Sequence, residues 1–130
     1  MKHRFLMQYI DGDLKSVKYM VEQGADINAA DLLGTPPLCY AAQKNSNVDV
    51  LKFLIEKGAD INATDEFGMT PLYAAAAFNS NVGVLKFLIE KGADINATDK
   101  LGMTPLDAAK SEEVKKILRD AGGKSGMKIK

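Results

Sequence analysis

Residues that build disulfides and metal sites are scarce in this sequence. Cys39 is the only cysteine, His3 is the only histidine, and tryptophan is absent. One cysteine excludes an intramolecular disulfide framework and a cysteine-based zinc site. The same scarcity suits a reducing compartment, because disulfide-rich proteins belong to oxidising ones. The sequence therefore predicts neither a metal nor a cofactor.

An excess of either charge and a long apolar run are also missing. Seventeen lysines and arginines balance seventeen aspartates and glutamates, so no net charge draws the chain to nucleic acid or to an anionic membrane. No apolar run approaches the roughly 20 residues of a membrane span, and the start turns polar at Gln8, too early for a secretory signal. With 46% apolar and 26% charged residues, we expect a soluble, intracellular, cytoplasmic protein.

One motif recurs at a fixed interval along the 130 residues. The string Gly-Ala-Asp-Ile-Asn starts at Gly24, Gly58 and Gly92, which gives a period of 34 residues. Blocks 31–64 and 65–98 are identical at 25 of 34 positions. A period of this length indicates a solenoid of stacked units, in which each unit buries its apolar face only against its neighbours.

The block 65–98 has the signals of a turn followed by two helices. Gly68 suits the turn, and Thr70 and Pro71 provide a hydroxyl cap and a proline for the start of the first helix. Apolar residues between 82 and 89 recur at +3, +6 and +7, which is typical of an amphipathic second helix. Gly92 is expected to end that helix in the left-handed conformation. The pattern predicts an all-α unit.

These residues resemble the ankyrin repeat. The family pattern, Asp-x-x-Gly-x-Thr-Pro-Leu-His-x-Ala-Ala followed by a second helix and Gly-Ala-Asp-Val-Asn-Ala, is similar to the stretch from Asp65 to Ala97. The resemblance implies an all-α solenoid of about four repeats, each a β-turn finger with an antiparallel helix pair. It divides the chain into an ankyrin domain over 1–122 and a flexible basic tail over 123–130. The four units are an N-terminal cap at 1–30, repeats at 31–64 and 65–98, and a C-terminal cap at 99–122.

The sequence departs from the family pattern at two places in the finger and first helix. Cys39, Tyr73 and Asp107 stand where the family has histidine, so the hydrogen bonding of that histidine between neighbouring fingers is lost or rebuilt. Pro36 stands where the capping threonine belongs, so the first helix of block 31–64 begins without that hydroxyl.

Groups that could carry catalysis have simpler structural explanations. The aspartates recur with the period of the fold and are ordinary turn residues, so we expect them to hold loops. Cys39 has no histidine nearby in sequence and is expected to be a small buried side chain. Gly-Gly-Lys-Ser at 122–125 lacks the earlier glycine of a phosphate-binding loop, because Leu118 stands in its place. The sequence pairs no nucleophile with a base, so the chain is not expected to be an enzyme.

Differences between blocks 31–64 and 65–98 provide the functional hypothesis. Eight of their nine differences fall in the first fourteen residues. The resemblance places these residues in the fingers and first helices, on the concave surface where partners of ankyrin domains usually bind. Several of them are large and apolar, and exposed apolar clusters commonly mark interaction sites. The candidate partner-binding residues are Leu32, Leu33, Tyr40, Lys44, Glu66, Phe67, Met69, Phe78, Leu101 and Met103.

Two interpretations stay open for these side chains. Leu33, Phe67 and Leu101 share one repeat position and could pack finger against finger instead of contacting a partner. Phe78 corresponds to Lys44, so a packing role common to all units is not expected there. The preferred function is recognition of a partner protein by a monomer that binds neither nucleic acid nor membrane. The alternative is a structural or self-associating solenoid segment of a larger assembly.

Overall fold

The structure, a computed structural model, describes residues 13–30, 34–44 and 47–126. These residues contain helices and turns but no strand, which confirms the all-α prediction. In chain order the helices are α1 (Leu14–Glu22), α2 (Pro37–Lys44), α3 (Val48–Glu56), α4 (Pro71–Phe78), α5 (Val82–Glu90), α6 (Pro105–Ala108) and α7 (Glu112–Asp120).

The helices form two layers. In the inner layer α2 packs on α4 and α4 packs on α6, while in the outer layer α1, α3, α5 and α7 follow one another. Each inner helix also packs on the outer helix that comes next in sequence. This arrangement is the stacking that the 34-residue period predicts, in which every unit covers the apolar face of its neighbour.

Helix α4 begins and α5 ends where the sequence signals predict. The Thr70 hydroxyl accepts a hydrogen bond from the Tyr73 N–H at 3.2 Å. Asn81 caps the start of α5 by accepting from the Gly83 N–H at 2.9 Å. Gly92 follows the end of α5 with a φ of 96°, the left-handed conformation that favours glycine.

Helix α2 begins differently because Pro36 has no hydroxyl. Pro36 is buried, and its carbonyl accepts a hydrogen bond from the Tyr40 N–H at 3.2 Å. Pro36 therefore cannot supply to α2 the side-chain cap that Thr70 supplies to α4.

The core lies between the two layers and continues through the stack. Alanines of the inner helices, such as Ala41 and Ala75, are at most 1% exposed, and their small size lets neighbouring helices approach closely. Ile95, which the sequence predicts to reach the core from its loop, is half-buried and packs against it. Each fully buried leucine or valine contributes roughly 1.5–3 kcal/mol. The large side chains that are fully buried are Leu38, Leu51, Leu54, Leu72, Leu85, Leu88, Leu118, Val17, Val50 and Val84.

The asparagine of the recurring Gly-Ala-Asp-Ile-Asn string links each loop to the next. The Asn28 side chain donates to the Gly58 carbonyl at 3.1 Å and accepts from the Asp60 N–H at 3.3 Å. One unit further, Asn62 accepts from the Asp94 N–H at 3.0 Å. The aspartate of each string accepts from the N–H of the asparagine two residues on, at 2.9 to 3.1 Å. The predicted structural role of these aspartates is confirmed.

Residues 123–126 complete the last unit. The Lys124 N–H donates to Asn96 Oδ1 at 2.8 Å, and the Lys124 carbonyl accepts from the Thr104 hydroxyl at 2.6 Å. The buried Gly126 donates its N–H to Asp107 Oδ2 at 2.8 Å. Through these contacts, the first residues of the predicted tail satisfy a hydroxyl and a carboxylate of the last unit. Residues 127–130 of the predicted tail lie outside the described residues.

Candidate functional site

An aspartate braces the finger that precedes α4 and the finger that precedes α6. Asp65 accepts hydrogen bonds from the N–H groups of Phe67 and Met69 at 2.9 and 3.0 Å, and its own N–H donates to the Met69 carbonyl. Asp99 makes the equivalent bonds in the next finger, at 2.8 to 3.0 Å. Each finger is thus a closed turn whose tip, at Phe67 or Leu101, is held in one conformation.

These two fingers are joined through their main chains. The Lys100 N–H donates to the Phe67 carbonyl at 3.0 Å. Gly68 has a φ of +82°, and a Cβ there would lie 3.1 Å from the Lys100 nitrogen, so both conformation and space favour glycine. The side chains of Phe67 and Leu101, at the tips of these fingers, are 55% and 82% exposed. More than half of the surface of each residue is therefore in contact with solvent.

Phe78, the last residue of α4, is 50% exposed. The Lys110 ammonium donates to the Phe78 carbonyl at 3.3 Å, and the Lys110 N–H donates to the Ala76 carbonyl at 3.2 Å. Toward the preceding unit, the buried Asn79 side chain donates to the Ala42 carbonyl at 2.9 Å. The ends of three successive units of the inner layer are therefore tied together around an aromatic ring that stays in contact with solvent.

Lys44 and Tyr40 form a pair on α2. The Lys44 ammonium lies 5.3 Å from the centre of the Tyr40 ring, a cation–π distance. Lys44 is exposed, whereas Tyr40 is half-buried and packs against the core. The residue of α4 that corresponds to Tyr40 is Ala74, which is buried. That correspondence is the sequence signal that Tyr40 faces partly inward.

The other candidates divide by exposure. Glu66 is exposed, while Met69 and Met103 are half-buried where the fingers meet the inner helices. Leu32 and Leu33 lie outside the described residues. The candidates that face solvent most are Lys44, Glu66, Phe67, Phe78 and Leu101.

Tyr73, which the sequence marks only as a replaced histidine, links α4 to the next finger. Its hydroxyl donates a hydrogen bond to the Asp99 carboxylate, and both side chains are buried. Burial, and then this hydrogen bond, raise the pKa of Tyr73 to about 12. Burial opposes ionisation of Asp99, but hydrogen bonds from the Met103 N–H and the Tyr73 hydroxyl help to outweigh it and lower the Asp99 pKa. A tyrosine–aspartate pair thus rebuilds the contact between neighbouring units.

Cys39 makes the corresponding contact one unit earlier. Its Sγ lies 3.5 Å from the Ala63 carbonyl oxygen and 3.8 Å from the Met69 carbonyl oxygen, and the thiol donates to both. Burial, and then the charges of Asp65 and Asp60, raise the pKa of the thiol to about 12. The thiol stays protonated at neutral pH and is a poor nucleophile, so the prediction of a small buried side chain is confirmed.

Asp107 occupies the third of these positions and bonds to the C-terminal segment. Its carboxylate accepts from the N–H groups of Thr104 and Gly126 at 3.0 and 2.8 Å. Burial opposes ionisation of Asp107, but these hydrogen bonds outweigh it and lower the Asp107 pKa. At all three positions of the replaced histidine, a side chain of the inner layer bonds to chain that follows its own helix pair. The shared repeat position was the one sequence signal for these links.

Other kinds of chemistry have little support in the part of the chain that the structure describes. No group of three histidine, cysteine, aspartate or glutamate side chains there could hold a metal ion. Within the same residues, no helix is long and apolar enough to cross a membrane. What the described arrangement offers is a rigid surface on which several large side chains meet solvent.

A comparison with protein families agrees with this architecture. A family model described as ankyrin repeats in many copies matches residues 3–55, 38–89 and 76–113. A search of curated proteins gives no significant match. Ankyrin-repeat proteins are generally protein–protein interaction modules and typically not enzymes. The overlapping matches run from residue 3 to residue 113 and take in helices α1 to α6, so the chain belongs to the ankyrin-repeat family.

Proposed function

We propose that this chain binds a partner protein through its finger–helix surface, meaning α2, α4, α6 and the turns before them, which is concave in ankyrin domains. One observation carries the proposal. Four large apolar side chains are exposed among the described residues, and three of them, Phe67, Phe78 and Leu101, belong to this surface. Exposed apolar side chains on one surface commonly mark an interaction site.

The frame behind these side chains supports the same function. The fingers are closed by Asp65 and Asp99, and the helix ends around Phe78 are tied by Lys110 and Asn79. A surface that is already ordered before binding loses less conformational entropy when a partner docks. Aromatic side chains held in this way are over-represented among the residues that dominate interfaces.

We propose that the contact surface includes all of the candidate partner-binding residues, among them the two leucines outside the described residues. Tyr40, Met69 and Met103 are half-buried and support the more exposed members. The full set is Leu32, Leu33, Tyr40, Lys44, Glu66, Phe67, Met69, Phe78, Leu101 and Met103.

Site-specific photo-crosslinking tests the proposal. A photoreactive phenylalanine analogue is placed at Phe67, Phe78 or Leu101 in separate variants, and at Tyr19 of the outer helix α1 as the control. Tyr19 is 59% exposed, slightly more than Phe78, so accessibility alone would favour the control. We expect one discrete cross-linked protein from the three finger–helix positions in native cell extract and none from Tyr19. Cross-links from Tyr19 alone would overturn the proposal.

We further propose that the chain acts as a monomer toward this partner. Light scattering then gives one mass at all concentrations in the absence of the partner. A mass that rises with concentration would favour the self-associating alternative.

A further inference from the structure

The charges next to Phe78 are positive. Lys44 ends α2, and Lys110 follows α6; both are exposed, and they belong to the units before and after the one that carries Phe78. The helices α2, α4 and α6 carry one carboxylate, that of Asp107, and backbone N–H groups of Thr104 and Gly126 already engage it. An aromatic side chain therefore lies between two cationic ones along this edge of the finger–helix surface.

Hydrogen bonds hold together the chain segments that carry these three side chains. The Lys110 ammonium is 3.3 Å from the Phe78 carbonyl oxygen, so this charge lies directly beside the end of α4. The Asn79 bond to Ala42 holds the end of α4 against α2. Packed helices have axes about 8–10 Å apart, so the end of α2 with Lys44 is about one helix spacing from Phe78.

Both ammonium groups remain available to a partner's carboxylates. The ion pairs among the described residues are Lys115 with Glu112 at 3.9 Å and Lys116 with Asp120 at 3.0 Å. Neither Lys44 nor Lys110 is therefore paired with a carboxylate in the described part of the chain. Glu112, close to Lys110 in sequence, is the carboxylate that already faces Lys115.

The carboxylate closest to Lys44 in the sequence of its own unit, that of Asp49, also has a local role. Asp49 lies in the first turn of α3, and its N–H bonds to the cap residue Asn47 at 3.0 Å. A negative charge at this helix start is favoured by the helix dipole. Asp49 thus belongs to the outer layer, and among the described residues no ion pair joins it to Lys44.

We propose that the partner presents to this edge a short acidic segment with a large apolar centre, an inference that rests on the proposed function. The apolar side chain packs on the Phe78 ring, and carboxylates on either side of it meet Lys44 and Lys110. A basic segment is repelled by both lysines, and an acidic segment without an apolar residue leaves the Phe78 ring in water.

The spacing of the three side chains sets the pattern of the segment. An extended peptide advances about 3.3 Å per residue, so the helix spacing between Phe78 and Lys44 corresponds to about three residues. The Lys110 ammonium reaches back to the Phe78 carbonyl, so the second carboxylate lies within about one or two residues of the apolar side chain.

Fluorescence anisotropy with synthetic peptides of equal length tests this inference. One peptide has Leu-Phe flanked by Asp and Glu; a second has Lys flanks, a third has Ser and Gln flanks, and a fourth keeps the acidic flanks with Gly-Gly at the centre. We expect the acidic peptide with Leu-Phe to bind about tenfold more tightly than the others. We also expect its advantage to shrink as salt rises, because exposed charges are screened.

Charge-neutral variants localise the effect. Lys44→Gln with Lys110→Gln should weaken the acidic Leu-Phe peptide about three- to tenfold, since two exposed ion pairs are lost. The matched control, Lys52→Gln with Lys86→Gln, removes the same charge from exposed positions of α3 and α5 and should change binding less than about twofold. Phe78→Ala should weaken the acidic and the neutral Leu-Phe peptides alike, about tenfold.

The outcomes separate this inference from the proposed function. If the acidic, neutral and basic Leu-Phe peptides bind equally well and Phe78→Ala abolishes their binding, the inference of an acidic segment is overturned, but the proposed binding surface stands. Unchanged binding in Phe78→Ala contradicts both. If none of the peptides binds at about 1 mM, the inference of an acidic segment is overturned. The cross-linking experiment then still tests the proposed surface. If the mass of the chain rises with concentration and Phe78→Ala returns it to the mass of a monomer, this edge binds a second copy and the inference is overturned.

Discussion

The two halves of the middle units differ in how much their sequences vary. Residues 50–64 and 84–98, the outer helix and loop, are identical in sequence, whereas eight of nine differences fall in the finger and inner helix. In the identical half, Leu51 and Leu85 are fully buried, and the loop asparagines Asn62 and Asn96 bond to the loop that follows the next helix pair. Those positions are constrained by neighbours on both sides, which leaves little freedom to vary.

The variable half contains two kinds of difference. Cys39 and Tyr73 differ in size and chemistry, yet each bonds to the chain that follows its own helix pair. Lys44 and Phe78 differ as much, and both are exposed. The first kind of difference preserves the stack by another route, and the second kind changes what the surface offers a partner.

The largest expected effect comes from comparing Leu→Ala in the identical half of the repeat with Leu→Ala in the variable half. Leu88→Ala empties a fully buried site in α5 and should lower the free energy of unfolding by about 2–5 kcal/mol. Leu101→Ala removes a side chain that is 82% exposed and should change it by less than about 0.5 kcal/mol. Urea denaturation of the two variants checks the comparison. Similar losses in both would mean that the finger tip carries structural packing.

Removing residues 123–130 should have the next largest effect. The truncation takes away one hydrogen-bond partner each of Asn96, the Thr104 hydroxyl and Asp107, and Thr104 is fully buried. Loss of partners for buried polar groups should cost about 1–3 kcal/mol in the free energy of unfolding. A truncated chain that unfolds at the same urea concentration as the full chain would favour the predicted flexible tail from 123 onward.

The pH dependence of stability tests the tyrosine link. The pKa of Tyr73 is raised from 10.0 to about 12, so its protonated form contributes stability below pH 10 that is lost as pH rises to 12. At about 1.4 kcal/mol per pKa unit, the loss is on the order of 2 kcal/mol. The Tyr73→Phe variant should not show this loss of stability. The titration of Cys39 affects both proteins alike and so cancels in the comparison. Parallel stability curves for the two proteins between pH 10 and 12 would contradict the link.

Pro36→Thr should have the smallest effect. A threonine hydroxyl would face the Cys39 N–H as Thr70 faces that of Tyr73, a cap of roughly 0.5–2 kcal/mol. Losing proline gives back freedom to the unfolded chain at a cost of about 0.4–1 kcal/mol. The expected result on urea denaturation is neutral to mildly stabilising. A loss above about 2 kcal/mol would show that the buried Pro36 ring packs in a way that threonine does not reproduce.

The sequence predicted the frame well because the frame is local and periodic. The Gly-Ala-Asp-Ile-Asn period set the stacking, and Thr70 and Gly92 marked a helix start and a helix end. The link between Tyr73 and Asp99 was missed, because it joins different units and depends on how the finger of one unit meets the helix of another. The docking of Gly126 was missed as well, since a Gly-rich composition indicates flexibility and only the position of Asp107 supplies a partner.

The candidate site was predicted in part. Comparison of equivalent positions identified Phe78 as a residue without a shared packing role, and the structure places it half in solvent. Tyr40 was chosen by the same comparison although its counterpart Ala74 is buried, so it faces the core more than expected. The pairing of Phe78 with Lys110 needed the structure, because the two residues belong to different units.

The central claim is that the finger–helix surface binds while the buried core holds the stack, and Phe78→Ala tests it most directly. The affinity of this variant for the cross-linked partner is measured by calorimetry beside its melting temperature. The claim predicts binding weakened about tenfold or more, with the melting temperature changed by less than about 3 °C. A large drop in melting temperature with unchanged affinity would make Phe78 a core residue and contradict the claim.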